Sequence, residues 1–335
     1  MGILLKSFKK IIPKVIILLY HRITDSAFDP QLLNVKPNNL AKHLSILLKN
    51  YRVLSLRELV FRLRTGFLPD RGIVISFDDG YADNYYKALP LLKYFRVPAT
   101  IFVTGNYIHN KNIFWWDELA HIFLLTENLP QMLKFSLHDK EYVWKFQQEV
   151  TERDMSIDWN VSMHRNIGTR ELAYLDISSL FRILDHDTIE RIMNNIREWA
   201  GDSKYNKHDD RALNEEELLS LVDDGLIEIG AHTMTHARLS SLCPADQWKE
   251  IVDCKKILEI IIKKEIISFA YPFGKKEDYT NVSRKLVKKA GFKCACSNFP
   301  RIVRWGSDVY QLPRYLVRDW DSEKFTHHIE KWFNE

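Results

Sequence analysis

The stretch Ile73-Val74-Ile75-Ser76-Phe77-Asp78-Asp79-Gly80 decides how the rest of this chain is interpreted. It begins with the β-branched and aromatic composition of a buried strand and ends on two adjacent carboxylates and a glycine. Two carboxylates at a strand end repel each other and lose hydration, so they need a nearby cation or a bound proton. A simple turn or helix cap is the alternative, because Asp-Gly is a common turn dipeptide.

Two histidines follow a second predicted strand much later in the chain. Leu226 to Ile229 has strand composition, and the sequence continues as Gly230-Ala231-His232-Thr233-Met234-Thr235-His236. Imidazoles four residues apart can reach one metal ion, and a carboxylate can complete such a ligand set. A lone histidine is more often packed or on the surface, but here both motifs occur together with their strands. Their conjunction predicts a metal site made of two histidines and one carboxylate.

These motifs resemble those of the NodB-homology polysaccharide deacetylases, which are metal-dependent hydrolases of N- or O-acetyl groups on sugars. The resemblance covers Val15 to about Tyr107 and about Asn214 to Arg318, and it leaves the middle of the chain unmatched. It implies an α/β fold, a distorted (β/α) barrel of the NodB-homology type with a mainly helical insertion. It also implies a hydrolase that acts on amide bonds.

The resemblance assigns roles to four residues of the two motifs. It implies Asp78 as the general base and Asp79, His232 and His236 as the protein ligands of a divalent metal ion. Zinc suits two histidines and one carboxylate, but iron, cobalt, nickel or manganese accept similar ligands. We therefore expect Zn²⁺ and leave the other metals open.

The first predicted strand, Val15 to Tyr20, delivers His21 to its carboxyl end, where α/β barrels gather catalytic groups. Most members of the family carry a catalytic histidine near the C-terminus, whereas circularly permuted members have a Tyr-His motif on the first strand. This chain resembles the permuted kind, because Asp319 to Glu335 contains no strand ending in Leu-x-His; His327 and His328 lie in a charged, helix-like tail. His21 is thus our candidate general acid, with a pKa that neighbouring carboxylates could raise. A packed strand-end residue is the alternative.

Tyr271-Pro272-Phe273-Gly274 resembles the third motif of the family, in which a backbone N–H helps to build the oxyanion hole. That position falls on Phe273. Many members have an arginine just before this motif that orients the base, but this chain has Ala270 there. Arg314, which follows Leu312 and Pro313, is our candidate for the missing guanidinium. An ordinary surface ion pair is the alternative for this arginine.

The chain has 335 residues, of which 46% are hydrophobic, enough for one barrel-sized domain and an insertion. We predict a single NodB-like domain over residues 1–335 with an inserted, mainly helical subdomain at 106–213. Helical patterns occur there around Lys140–Glu152 and Ser178–Trp199. The run Phe114-Trp115-Trp116-Asp117-Glu118-Leu119 is either part of a core or a platform for sugar stacking.

Composition excludes some classes of partner and scaffold. A net charge of +4, from 48 basic and 44 acidic residues, is too small to indicate a nucleic-acid-binding protein. The four cysteines have no Cys-x-x-Cys spacing and are too few for a disulfide scaffold, so we expect reduced core thiols. They are Cys243, Cys254, Cys294 and Cys296.

The segment Met1 to Lys14 is alternately basic and apolar, and could be mistaken for the start of a signal peptide. The apolar run after it is too short to span a bilayer and leads into His21-Arg22 rather than a small-residue cleavage site. We therefore expect a cytoplasmic location. The lysines of this segment suit either a solvated helix or peripheral contact with an anionic membrane. They are Lys6, Lys9, Lys10 and Lys14.

The predicted function is removal of acetyl groups from a saccharide substrate, either a polymer or a lipid-linked or nucleotide-linked sugar, in surface glycan biosynthesis. A deformylase or cyclic-amide hydrolase on the same scaffold is one alternative. A non-catalytic glycan-binding relative is another, because the third-motif arginine is absent. The acidic pair, both motif histidines and His21 argue against that last alternative, since a binding module needs no general base.

Overall fold

The computed structural model describes residues 13–108, 113–146, 158–163, 167–201 and 210–335. Its strands are β1 (Val15–Tyr20), β2 (Arg22–Ile23), β3 (Asn34–Val35), β4 (Arg52–Leu54), β5 (Gly72–Phe77), β6 (Ala99–Val103), β7 (Met132–Leu137), β8 (Lys140–Lys145), β9 (Ile227–Ala231), β10 (Ser268–Ala270), β11 (Cys294–Cys296) and β12 (Tyr315–Leu316). Its α-helices are α1 (Pro37–Asn50), α2 (Leu56–Thr65), α3 (Leu89–Phe95), α4 (Trp115–Leu125), α5 (Thr169–Phe181), α6 (His186–Ala200), α7 (Glu215–Val222), α8 (Pro244–Ile262), α9 (Asn281–Lys289) and α10 (Ser322–Asn334).

The main sheet is parallel and runs in the order β11-β10-β9-β6-β5-β1-β12, with β4 paired to the first half of β5. It curls into a half-barrel whose two end strands are β11 and β12. The connection between these end strands fills the gap, since the Ala295 N–H donates to the Val309 carbonyl and the Leu312 N–H to the Ala295 carbonyl. The predicted distorted (β/α) barrel is therefore confirmed.

Every residue of β1 is buried, as expected for a parallel strand covered on both faces. Ile16 and Leu18 pack against the outer helices, in the same apolar cluster as Leu40 and Leu44 of α1. Val15 and Ile17 face the opposite way, into the barrel interior. This alternation follows from the two-residue period of a strand. The continuous apolar run of β1 therefore contributes side chains both to the core under the outer helices and to the interior of the barrel.

Helix α2 closes the amino end of the barrel. The Ser55 side chain caps it by accepting from the Glu58 N–H, and Gly66 ends it in the left-handed region at φ +87°. Four apolar side chains of the helix join the interior cluster of the barrel. They are Leu56, Leu59, Val60 and Leu63.

The segment between residues 106 and 213 provides most of a second apolar cluster, in which α4 packs on α5 and to which Tyr81 also belongs. The helix predicted from Lys140 is wrong for Lys140–Lys145, which pairs with β7 in an antiparallel hairpin. Alternate residues of β7 are buried, the two-residue period of a strand, and His138 and Asp139 form the turn with positive φ. The end of that predicted helix, residues 147–152, lies outside the described residues. The division at 106–213 stays a prediction.

The cysteines fit the predicted core thiols in part. All four are free, and Cys254, Cys294 and Cys296 are buried. Cys243 is exposed instead, because it sits at the boundary where α8 begins.

Residues 1–12, which hold most of the predicted basic lead, lie outside the described part of the chain. Lys14 is described, and its ammonium group donates to the carbonyl of Phe333 in α10. Among the described residues, no helix combines the length and apolar composition that crossing a membrane requires.

Candidate active site and metal centre

The acidic pair lies at the carboxyl tip of β5, in the middle of the sheet. The Asp78 N–H donates to the carbonyl of Tyr20 at the end of β1, which joins the two strand tips. Asp79 at φ +72° and Gly80 at φ +76° then turn the chain sharply away. A side chain at Gly80 would lie 3.1 Å from the Val103 methyl groups, so this turn favours glycine. The turn leaves the two carboxylates with different partners.

Asp78 pairs with Arg314 in a buried, two-pronged contact. Nη1 and Nη2 of the guanidinium each lie 2.6 Å from one carboxylate oxygen, and Arg314 also donates from Nε to the carbonyl of Ser297 at 2.8 Å. Burial by itself would raise the pKa of Asp78, but the guanidinium and His232 outweigh it, and the pKa lies below its usual value. Asp78 is therefore ionised, and both of its oxygens are oriented by Arg314.

Asp79 faces the two motif histidines. Its Oδ1 lies 3.4 Å from Nε2 of His232 and 3.3 Å from Nε2 of His236. One candidate ligand atom from each of the three buried side chains lies within 4.8 Å of the others. The structure thus brings the three predicted ligands together.

The hydrogen bonds around these groups fit a metal ion. Nδ1 of His232 lies 2.9 Å from the carbonyl of Ala270, so it carries the proton and leaves a lone pair on Nε2 facing Asp79. A lone pair and a carboxylate oxygen at this distance repel each other unless a cation lies between them. Burial alone would raise the pKa of Asp79, but the two imidazoles beside it hold that pKa well below its usual value. The donor set therefore suits a divalent ion such as zinc.

Four residues of this centre have a strained backbone. Thr233, His236 and Phe273 join Asp79 in having φ near +60° to +72°, a region that residues other than glycine rarely adopt. Such conformations persist only where the surrounding structure enforces them, and they are common at functional sites. The sequence gives no signal of this strain, because none of the four is a glycine.

Glu250 of α8 holds the loop between the two histidines, and sequence reasoning missed it. Its Oε2 accepts from the N–H groups of Met234 and Thr235 at 2.8 and 2.9 Å, and its Oε1 accepts from the Thr235 hydroxyl at 2.8 Å. Three hydrogen bonds to one carboxylate fix the backbone between the two predicted ligands. A glutamate inside an amphipathic helix carries no local sign of this role.

His21 lies at the end of β1 and lines the same cleft as the acidic pair. The Asn84 side chain fixes its backbone by donating to the His21 carbonyl at 2.8 Å. Burial lowers the pKa of His21 although Asp79 and Asp78 act in the opposite direction, so the expected raised pKa is wrong. His327 and His328 lie on α10, where His328 stacks on Trp320, and neither lines the cleft. The permuted arrangement stays a prediction.

Phe273 lies beside the metal centre. Its ring lies 4.8 Å from the His236 ring, and within the described residues its N–H donates to no acceptor. A free backbone donor beside a candidate metal site can stabilise a developing oxyanion.

The cleft above these groups has a volume of about 300 Å³, and its far wall comes from the inserted segment. Trp115 and Trp116 are almost fully buried, so the aromatic run belongs to a core, yet both indoles also line the cleft. The Trp116 ring lies 4.5 Å from His236. The guanidinium of Arg182, the residue after α5, lies 4.3 Å from the centre of the Phe273 ring. Sequence reasoning missed Arg182, since it lies in an ordinary helical pattern.

Comparison with known proteins gives a family match that spans the site. The family model described as polysaccharide deacetylase matches residues 66–134 and 178–295, which together exceed half of the chain. The YxkH protein of Bacillus subtilis is 21% identical over 306 residues, covering 91% of this chain and 71% of that protein. A poly-beta-1,6-N-acetyl-D-glucosamine N-deacetylase of Staphylococcus aureus is 23% identical over 281 residues, covering 84% of this chain and 65% of that protein. This chain thus spans about two thirds of the length of these relatives.

Solved structures show the same fold at low identity. The Streptococcus pyogenes deacetylase PplD, in complex with acetate, matches with a TM-score of 0.57 and 17% identity, covering 95% of this chain and 99% of that one. IcaB from Ammonifex degensii matches with a TM-score of 0.57 and 15% identity, covering 96% and 98%. At this level of identity the likeness concerns the fold alone.

Proposed function

Since the chain belongs to the polysaccharide deacetylase family, whose members hydrolyse amide bonds, we propose that it removes N-acetyl groups from a saccharide. One observation carries this proposal. An ionised carboxylate, Asp78, is clamped by Arg314 directly beside the Asp79, His232 and His236 cluster, at the floor of a cleft. A general base next to a metal site is the arrangement that water-dependent acyl hydrolysis requires.

The family is metal-dependent, and we propose that Asp79, His232 and His236 hold its divalent ion here. Zinc is our first choice because two imidazoles and one carboxylate are a common catalytic zinc set, with iron, cobalt, nickel and manganese as alternatives. When bound, such an ion would polarise the acetyl carbonyl and acidify a water molecule.

Asp78 is proposed as the base that removes a proton from the attacking water. Both of its oxygens are held by Arg314, so the carboxylate cannot rotate out of the cleft floor. Arg314 replaces in function the arginine expected at Ala270. We call Arg314 a positioning residue, since it acts through Asp78.

His21 and Phe273 are proposed to handle the leaving group and the oxyanion. The Phe273 N–H would donate to the carbonyl oxygen as it gains charge. His21, with its lowered pKa, rests as the neutral imidazole. We propose that it receives the proton taken by Asp78 and passes it to the departing amine. The products are acetate and a free amino sugar.

The substrate class is proposed from the relatives and from the cleft. The Staphylococcus aureus relative acts on poly-β-1,6-N-acetyl-D-glucosamine, which supports an N-acetylated saccharide here. The proposed forms are a polymer, a lipid-linked saccharide and a nucleotide-linked saccharide, and the assay below separates them. We also propose that the protein acts in the cytoplasm, in a step of surface polysaccharide biosynthesis. Fractionation of cells would test that location.

Acetate release tests the proposal directly. Purified protein, stripped by chelator and reloaded with zinc, is offered β-1,6- and β-1,4-linked N-acetylglucosamine oligomers, a nucleotide-linked N-acetyl sugar and a lipid-linked one. We expect acetate from at least one substrate, loss with chelator and return with zinc, and Asp78→Asn as an inactive control. Absence of acetate from every substrate would refute the proposal. Formate release from an N-formyl sugar would favour the deformylase alternative.

A further inference from the structure

The loop after β10 carries the proposed oxyanion donor in a strained backbone. Phe273 at φ +61° and Gly274 at φ +70° are consecutive left-handed residues. A bulky residue rarely adopts this conformation, so contacts with the surrounding structure must enforce it at Phe273. At Gly274 the backbone of Asn298 supplies one such contact, since the Gly274 carbonyl accepts from the Asn298 N–H at 2.7 Å. The side chain of Phe273 is held by other groups.

Asp278 closes this loop from within. Its side chain is fully buried, and its Oδ2 accepts from the Lys275 N–H at 3.0 Å. Its Oδ1 faces two guanidinium groups, with Arg238 Nε at 2.8 Å and Arg182 Nη2 at 3.2 Å. A buried carboxylate needs a counter-charge, but one guanidinium is enough to neutralise it. Charge alone therefore does not account for the second arginine.

The two arginines contact different parts of the loop. Arg238 lies two residues after His236, and its Nη2 donates to the carbonyl of Glu277 at 3.1 Å. It therefore joins the histidine loop to the Glu277 end of this loop. The Arg182 guanidinium instead lies over the Phe273 ring, 4.3 Å from its centre. A cation at this distance from an aromatic face is attracted to it, so Arg182 holds the ring itself.

Arg182 comes from the inserted segment, and its side chain is fixed although it lines the cleft. It directly follows α5, whose last residue, Phe181, is buried with its ring centre 5.3 Å from that of Trp115. The Arg182 side chain is 36% exposed, yet both Asp278 and the Phe273 ring contact its guanidinium. Asp278 therefore fixes this guanidinium over the ring.

We propose that Arg182 is a positioning residue for the oxyanion step: by covering the Phe273 ring, it holds Phe273 in the left-handed conformation that leaves its N–H free for the substrate. This inference rests on the proposed function, because it concerns the N–H that would stabilise the oxyanion in that reaction. A donor must be in place before charge develops on the carbonyl oxygen, so a loose ring should slow the chemical step rather than weaken sugar binding. The inserted segment then takes part in catalysis as well as forming a wall of the cleft.

Steady-state kinetics on the best acetylated substrate test this role. Arg182→Gln should lower kcat by about 10–100-fold and change KM by less than about threefold, since a displaced donor is missed mainly in the transition state. Arg182→Lys keeps a cation near the ring and should lose less. Arg191→Gln, at an exposed position of α6 in the same segment, is the matched control and should leave both constants within about twofold. Thermal unfolding by circular dichroism checks that all variants are folded.

A double-mutant cycle shows whether Arg182 acts through the ring. Phe273→Leu removes the ring but keeps the backbone N–H, so it should also lower kcat. In the Phe273→Leu background, Arg182→Gln should cause less than about threefold further loss, because the effects of contacting residues are not additive. The full loss in that background would show that Arg182 acts elsewhere and would overturn the proposal.

Amide hydrogen exchange followed by mass spectrometry gives a readout that needs no turnover. The N–H groups of Gly274, Lys275 and Asp278 are bonded within the loop, so residues 271–279 should exchange about tenfold or more faster in Arg182→Gln, while α9 stays unchanged. Unchanged exchange of the loop or unchanged kcat would overturn the proposal. A raised KM with unchanged kcat would overturn it as well, because Arg182 would then bind the substrate directly. Absence of acetate release from the wild type would instead refute the proposed function, and this inference with it.

Discussion

The carboxyl and amino ends of the barrel differ in how their residues satisfy local conformational preferences. At the carboxyl end, charged side chains are buried in matched groups, and Asp79, Thr233, His236 and Phe273 hold left-handed backbone conformations. At the amino end, α2 satisfies every local rule, with a Ser55 cap, a Gly66 stop and an apolar face turned inward. Four of the ten non-glycine residues with positive φ in the described part of the chain therefore lie where chemistry is proposed, while α2 at the opposite end contributes stability. Substitutions at the two ends should separate turnover from folding.

The largest effect on turnover is expected from Asp79→Asn. An amide is a poor ligand for zinc, so this variant should lose bound metal and with it about 10⁴-fold or more in acetate release. Metal content by atomic absorption and turnover on the best substrate measure the two losses. His328→Ala, which changes a histidine outside the cleft, is the control. A variant that kept one tightly bound ion per chain would place the metal elsewhere.

Asp78→Asn should keep the metal and lose about 10²–10⁴-fold in turnover, since an amide cannot accept the proton of water. It should also destabilise the fold by about 3–5 kcal/mol, because Arg314 is left buried without its counter-charge. The double variant Asp78→Asn, Arg314→Gln should recover stability in urea unfolding but not activity. Recovery of turnover would show that Asp78 acts through packing alone, and equal metal loss in Asp78→Asn and Asp79→Asn would refute their separate roles.

His21→Ala should fold and bind metal normally, and lose about 10²–10⁴-fold in rate on an amide substrate, the usual contribution of one positioned proton donor. The loss should be much smaller for an activated acetyl ester, whose leaving group needs no proton. Steady-state kinetics on both substrates give the comparison. Near-wild-type turnover on the amide would remove His21 from the mechanism.

Glu250→Gln should weaken metal binding by about 10–100-fold, as loss of a group that orients ligands usually does. Oε2 of Glu250 accepts from the N–H groups of Met234 and Thr235, and Oε1 accepts from the Thr235 hydroxyl, whereas a neutral amide can accept with only one of its two terminal atoms and forms weaker hydrogen bonds. Competition with a zinc chelator measures the affinity without reference to turnover. Glu259→Gln, on the same helix near its other end, is the matched control. Unchanged affinity in Glu250→Gln would mean that the histidine loop is rigid without this carboxylate.

The smallest effect on turnover is expected from a substitution in α2, at the amino end of the barrel. Leu59→Ala should cost about 2–5 kcal/mol of unfolding free energy, because Leu59 is fully buried in the interior cluster. The turnover of the folded protein should stay within about twofold, since distant sites usually act independently. Urea unfolding and acetate release measure the two quantities. A tenfold fall in turnover would show that the two ends are coupled.

The sequence by itself determined the parallel α/β fold and the cluster of Asp79, His232 and His236. Both depend on local signals, since an apolar run followed by polar residues marks a strand tip. Parallel strands bring their carboxyl tips to one edge, so ligands that follow β5 and β9 meet without further information. The family resemblance added the choice of Asp79 over Asp78 as the metal ligand and the roles of Asp78, His21 and Phe273, and these assignments remain proposals.

Only the tertiary structure decided what surrounds these residues. Arg314, which the sequence offered as a candidate beside the alternative of a surface ion pair, reaches Asp78 from 236 residues away, and Glu250 binds the histidine loop from an outer helix. Burial lowers the pKa of His21, where sequence reasoning expected its neighbours to raise it. The hairpin at Lys140–Lys145 likewise replaces a predicted helix. These four features have one physical reason. The burial of a residue and its contacts depend on segments that are distant in sequence, and no local pattern shows which segments will pack against it.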